Sequence, residues 1–184
     1  MSLVVIDHKK LNLVLDLVYG TENNFINKAV YKNPALMLHQ EAAEKLAKAS
    51  ELANRMGFKI KVFDGFRPIE VQQIFYDAFP GTNYVSNPLT GEATHCRGIA
   101  IDLTLVDEEG EELDMGTEFD SFEEHAHHGN KNISKLAQKN RAILLGIMTL
   151  SGWNYYQYEW WHYQLHNVQN YKKYYDKDAP IQMI

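Results

Sequence analysis

Between positions 41 and 56 (EAAEKLAKASELANRM) apolar residues fall at Leu46, Ala49, Leu52, Ala53 and Met56, the spacing of one buried face on an α-helix. Gly57 marks its end. The period then changes: residues 58–63 (FKIKVF) alternate apolar and basic side chains, which predicts a strand exposed on one side. Asp64-Gly65-Phe66-Arg67-Pro68 breaks the alternation. Pro68 suits the first turn of a helix running to about Ala78, so Arg67 falls at a strand-to-helix junction. Residues 79–93 hold two Pro, two Gly, three Asn or Ser and little periodicity, and they read as a long surface loop of the kind that often serves function.

Residues 98–106 (GIAIDLTLV) have the composition of a central strand, with Asp102 in the middle, and residues 107–110 form a turn. Residues 115–120 (MGTEFD) read as loop and 121–128 as a short helix. A second amphipathic helix follows over 133–150, with apolar positions at Ile133, Leu136, Ala137, Ile143, Leu144, Ile147 and Met148. Ser151-Gly152 closes it, and the aromatic stretch 153–165 reads as two strands across a tight turn. No repeat or low-complexity segment interrupts this order. Strands and helices do not alternate as in βαβ units, so the expected fold is α+β: one domain over 1–184, with helices packed on a mainly antiparallel sheet.

Composition narrows the possible roles. A chain of 184 residues with 45% apolar and 12% aromatic content can bury a sizeable core. Its formal charge is −6 and no Lys/Arg-rich stretch is long enough to follow a phosphate backbone, so nucleic acid is not an expected partner. The single cysteine, Cys96, excludes an intramolecular disulfide. The apolar run at residues 3–6 is broken by Asp7, His8, Lys9 and Lys10, and Asp16 interrupts the next, so it does not resemble a signal-peptide core. No window approaches the roughly 20 uninterrupted apolar residues of a membrane span. A soluble cytoplasmic protein is the expectation.

Asp102 is chemically out of place, because a carboxylate inside an apolar strand must be paired, protonated or bound to a metal. His95 lies upstream across Gly98, and Glu159-Trp160-Trp161-His162 adds an imidazole and a carboxylate in another apolar neighbourhood. Three protein ligands leave a catalytic zinc one open position for water, and a Glu near a ligand His can act as base. His95, Asp102 and His162 meet that count and Glu159 meets that role; a buried hydrogen-bonded trio would use the same residues, and spacing alone leaves both open.

Motifs bear on the choice. His95 to Asp102 (HCRGIAID) resembles the HxxGxAxD signature of the zinc D,D-peptidases, and Glu159 to His162 (EWWH) their second signature. Met115 to Asp120, the stretch from Tyr19 to Phe25 (YGTENNF) and Asp64 to Pro68 (DGFRP) resemble segments of the family's D-alanyl-D-alanine dipeptidase branch, in the family's order. The resemblance implies a zinc enzyme that cleaves D-Ala-D-Ala or a related dipeptide, with His95, Asp102 and His162 as ligands and Glu159 as general base. It further implies that Arg67 stabilises the oxyanion, Asp120 pairs with the substrate ammonium and Tyr19 shapes the pocket. The alternatives are a D,D-carboxypeptidase or endopeptidase acting on longer cell-wall peptides, and a non-catalytic zinc-binding module. The chain departs from the family at Ala93, where Ser is usual, with Thr94 beside it, and in a shorter stretch between Arg67 and His95 that bears on the pocket wall.

Other candidates have plainer readings. Asp120 would also serve as a helix N-cap. His125, His127 and His128 read as a solvated helix end, and His166 as an ordinary surface or core histidine. Cys96, with its side chain on the face opposite His95 if the chain is extended there, is not an expected nucleophile. The aromatics from Trp153 to Tyr163 read as core and pocket wall.

Overall fold

In the computed structural model, which describes residues 2–184, the continuous apolar run becomes the middle of the molecule. Among the described residues the α-helices and strands are β1 (Leu3–Val5), β2 (Val14–Leu15), β3 (Met37–His39), α1 (Gln40–Arg55), β4 (Lys59–Asp64), α2 (Ile69–Ala78), β5 (Ala100–Val106), α3 (Lys135–Leu150), β6 (Asn154–Tyr156) and β7 (Glu159–Gln164). Every residue of β5 is buried, as expected of a strand with neighbours on both edges and layers on both faces. The main sheet runs β2-β4-β5-β7-β6, and β1 pairs with β3 in a separate two-stranded sheet. Pairing is antiparallel except between β2 and β4. The α+β class and the mainly antiparallel sheet therefore agree with the sequence pattern.

Alternation along β5 divides the two faces. Ile101, Leu103 and Leu105 join Leu46, Ala49 and Ala53 of α1 and Leu144, Ile147 and Met148 of α3 in the larger core. Asp102 and Thr104 have the opposite parity and look away from those helices. A second cluster, with Tyr19, Tyr31, Phe66, Val71 and Phe75, is built by α2 and by segments near the two termini. The functional cleft opens beside this second cluster.

Most of the expected elements appear within a residue or two of their predicted bounds. Pro68 sits just ahead of α2 as its N-cap residue. The short strands β1, β2 and β3 were not legible, because two or three residues carry no period. The helix expected over 121–128 is absent; only a single 3-10 turn, Glu124–Ala126, forms there. The carbonyls of His125 and His127 accept hydrogen bonds from Arg141 of α3 instead of from their own helix. The solvated helix end expected at the three histidines is corrected with it: His125 is exposed, whereas His128 is partly buried against Tyr155 and Tyr163. Among the described residues no helix is long and apolar enough to cross a membrane.

Candidate metal and catalytic site

Strand register assembles the polar row at the centre of the site. Asp102 of β5 lies opposite Asp64 of β4 on one side and opposite His162 of β7 on the other. Directly opposed residues share a face, so three adjacent strands present Asp64, Asp102 and His162 side by side. Asp64 reaches this row because the β4–β5 register shifts between Val62 and Asp64; an unbroken ladder would set Phe63 there. A second irregularity serves Glu159. One step from Tyr155 to Tyr156 on β6 corresponds to Tyr163 to Glu159 on β7, and this break lets Glu159 lie 3.8 Å from His162 although residues three apart in a regular strand face opposite ways.

His95 arrives from the 3-10 turn His95–Arg97 ahead of β5. Gly98 ends that turn at φ +66°, and a Cβ there would stand 2.3 Å from Leu3 Cδ2 and 2.9 Å from the His39 backbone nitrogen, so glycine is required twice over. Cys96 lies in this turn rather than in an extended segment; it is fully buried, and burial pushes its thiol up to about 12, which removes it as a nucleophile.

The imidazole protons can be placed from their outer partners. His95 Nδ1 is 2.7 Å from the Gly65 carbonyl oxygen, and His162 Nε2 is 3.0 Å from Gln164 Oε1. A backbone carbonyl only accepts, so His95 Nδ1 carries a proton; with the Gln164 amide oxygen turned to it His162 Nε2 does the same, and in a neutral ring the other nitrogen offers a lone pair. Those inner nitrogens, His95 Nε2 and His162 Nδ1, lie 3.2 Å apart. Asp102 oxygens stand 3.3 Å from the first and 3.0 Å from the second. Lone pairs and a carboxylate converging at such distances repel one another unless positive charge stands among them. The three residues can hold a metal ion, since their ligand atoms all lie within 4.8 Å of one another. Outer nitrogens tied to carbonyl oxygens are the arrangement that orients metal-binding histidines.

Electrostatics separate the carboxyls. Burial alone would raise Asp102, but the His95 and His162 contacts outweigh it and hold the group well below the usual carboxylate range. At Glu159 the compensation falls short: burial outweighs the pull of His162 and Arg67 and, reinforced by Asp102 and Asp120, pushes the group up to about 8. Asp120 is likewise pushed up to about 8 by burial and by Asp102. It sits at φ +59° in a loop, not at a helix N-cap, and accepts the Tyr19 hydroxyl at 3.0 and 3.2 Å.

Arg67 is held on all sides. Its Nε donates to Asp64 Oδ2 at 2.8 Å and Nη1 to Gln72 Oε1 at 3.0 Å, while Nη2 reaches Asp102 Oδ2 at 3.4 Å. Its guanidinium lies over Tyr19 and Phe75, with the carbon 5.0 and 4.9 Å from the ring centroids. Tyr31 donates to the other Asp64 oxygen at 3.0 Å, so Asp64 orients the arginine and is itself oriented.

These groups line one cleft of about 350 Å³. Tyr19, Arg67, His95, Asp102, Asp120, Glu159 and His162 all face it, so the structure brings every candidate residue from the sequence together. The loop over 79–93 forms its rim and is tied down: Gln72 donates to the Ser86 carbonyl, Tyr156 to that of Asn83, and Lys173 to those of Pro88, Leu89 and Gly91. Ala93 lines the cleft at φ +44°. Sequence reasoning did not single out Asp64, Gln72 or Gln164. Gln164 was recoverable, because a residue two along a strand from His162 shares its face; Gln72 gave no local signal. Tyr156 and Trp161 line the cleft, while Trp153, Trp160 and Tyr163 are buried in the larger core.

A family model described as D-ala-D-ala dipeptidase (peptidase M15) matches residues 2–180. The D-alanyl-D-alanine dipeptidase of Escherichia coli K12 is 37% identical to the chain, covering 87% of it and 82% of the relative. The D-alanyl-D-alanine dipeptidase of Enterococcus faecium is 34% identical, covering 88% and 90% respectively. That of Enterococcus faecalis V583 is 32% identical over 82% and 84%.

Proposed function

Because the chain belongs to the peptidase M15 family of D-Ala-D-Ala dipeptidases, we propose that it hydrolyses D-Ala-D-Ala, or a closely related dipeptide, to free amino acids at this cleft. The observation that carries the reading is the set of converging acceptors on His95, Asp102 and His162, which calls for a cation beside an otherwise unneutralised Glu159. In this reading those three residues hold one zinc ion, and Gly65 and Gln164 fix the ring orientations. Zinc supplies Lewis acidity toward the carbonyl and a positive charge that lowers the proton affinity of nearby water and of Glu159.

The chain's own groups do the rest. Glu159 takes the proton from the attacking water and returns it to the leaving amine. Arg67, held rigid by Asp64 and Gln72, presents its guanidinium to the oxygen that gains negative charge in the tetrahedral state, where it binds more tightly than in the ground state. Asp120 pairs with the substrate's ammonium, with Tyr19 fixing its carboxylate. An acid at that end favours a free amino terminus and so a dipeptide over a longer peptide. Metal analysis joined to a panel of D,D, L,D and L,L dipeptides and a pentapeptide tests the reading. One zinc per chain and preference for the D,D dipeptide are expected; preference for the pentapeptide, or no turnover by zinc-loaded protein, overturns it.

A further inference from the structure

Arg141 does not touch the cleft, yet it is 95% withdrawn from solvent by a relative exposure of 5% and, among the described residues, makes no ion pair with a carboxylate. Burial lowers its guanidinium to about 10, although Asp114 and Tyr163 oppose the fall. A buried cation without a counterion is an expensive feature that needs strong hydrogen bonds, and the Trp160 ring, 5.9 Å from the guanidinium carbon, adds to them. Arg141 has three such bonds, all to one loop. Its Nε donates to the Met115 carbonyl at 2.6 Å, Nη2 to that of His125 at 2.8 Å and Nη1 to that of His127 at 3.0 Å. The neighbouring Asn140 donates to the Asp114 carbonyl at 2.9 Å.

The bonded carbonyls stand at the two ends of the segment that carries Asp120. Between them, Gly116 at φ +83° packs against Ile133 and Ala137, and Phe119 stacks on Phe63 with centroids 4.5 Å apart. These contacts seat the tip of the segment on the sheet. The Trp160 indole donates to Thr117 at 2.8 Å and the His128 N–H to the Gln157 carbonyl. Yet among the described residues the one side chain that joins both ends of the segment, on either side of the left-handed turn at Asp120 that aims the carboxylate at Tyr19, is Arg141, whose planar donors match carbonyls converging from two directions.

We propose that Arg141 is a positioning residue for substrate selection: by cross-bracing both ends of the segment over 115–127 it holds Asp120 where a substrate ammonium is recognised, without itself touching the groups that perform hydrolysis. This inference rests on the dipeptidase reading above. It separates two functions in one cleft, since loosening the brace degrades recognition of the amino terminus before it affects the chemistry.

Arg141→Met and Arg141→Lys test it, with D-Ala-D-Ala and N-acetyl-D-Ala-D-Ala as substrates and amide hydrogen exchange over 116–124 as a readout independent of turnover. In Arg141→Met, kcat/KM for the free amine falls about tenfold or more, chiefly through KM, while the acetylated value changes less than about threefold. Arg141→Lys, which keeps the charge without the fork, falls between. Exchange rises in 116–124 and stays at the wild-type level in β5 and β7. An equal loss on both substrates, or unchanged exchange in 116–124 in a folded variant, overturns the proposal. A wild-type protein indifferent to acetylation would instead defeat the assigned role of Asp120, and the exchange measurement would then decide the brace by itself.

Discussion

The two ends of the cleft are built by different means. At the His95, Asp102 and His162 end, two of the three residues sit on neighbouring strands in register, and the third follows from a tight turn just ahead of the same strand. Backbone ladders set their separations. At the Asp120 end, the groups proposed for recognition come from loops: Tyr19 from a 3-10 turn, Asp120 from an irregular segment and the rim from residues 79–93. A handful of side-chain bonds to backbone carbonyls, from Arg141, Lys173, Tyr156 and Gln72, hold those loops. The lesson is a division of labour: cooperative sheet pairing gives the fixed geometry that hydrolysis requires, while loops fastened at a few points leave substrate choice adjustable.

Removing the metal would test the sheet end most severely. Exhaustive chelation is expected to abolish dipeptide hydrolysis and stoichiometric zinc to restore it; full activity in protein shown by elemental analysis to be metal-free would end the assignment. Next in size, Glu159→Ala should lose on the order of a thousandfold in kcat while keeping its zinc content and its fold. Wild-type turnover in that variant would remove Glu159 as the base.

The loop end should respond more mildly. If Asp120 binds the ammonium as proposed, Asp120→Asn should cost about 2 kcal/mol, or roughly thirtyfold in kcat/KM, expressed mainly in KM. An unchanged KM would show that the ammonium is bound elsewhere. The smallest effect concerns pH. Burial, with the Arg141 charge adding to it, lowers the imidazole of His128 to about 4. Above the unfolded value of about 6.5 neither state holds the proton and nothing is lost. As pH falls from there towards 4, the unfolded chain binds it and the folded chain does not, so stability declines, by about 1 to 2 kcal/mol once solvent screening of the partly exposed ring is allowed for. Urea titrations at pH 7 and 4.5 measure this, and His128→Gln should flatten the difference. The same slope in that variant would place the acid sensitivity in other groups.

Legibility in the sequence follows the same division. The helical period of residues 41–56 and 133–150 and the apolar run around Asp102 announced α1, α3 and β5, because each buries a continuous face. Asp102, His162 and Glu159 stood out as polar groups in apolar settings, His95 lay just upstream of the first, and short motifs joined them. The segment over 121–128 misled, since its helical composition was overridden when Arg141 took its carbonyls. Asp64 was visible within its motif, but its task of bracing Arg67 depends on a register shift that no local pattern encodes.

What the amino-acid order determined by itself was the class of fold, the residues able to bind a cation and the family pattern joining them, because periodicity and misplaced polarity are properties of short windows. Only the tertiary structure decided that the inner nitrogens of His95 and His162 and the Asp102 carboxylate meet, that Glu159 turns to their side, and that Arg141 braces the segment bearing Asp120. Those facts arise from strand register, bulges and bonds between residues far apart in the chain, and such long-range geometry exists only once the whole core has closed around it.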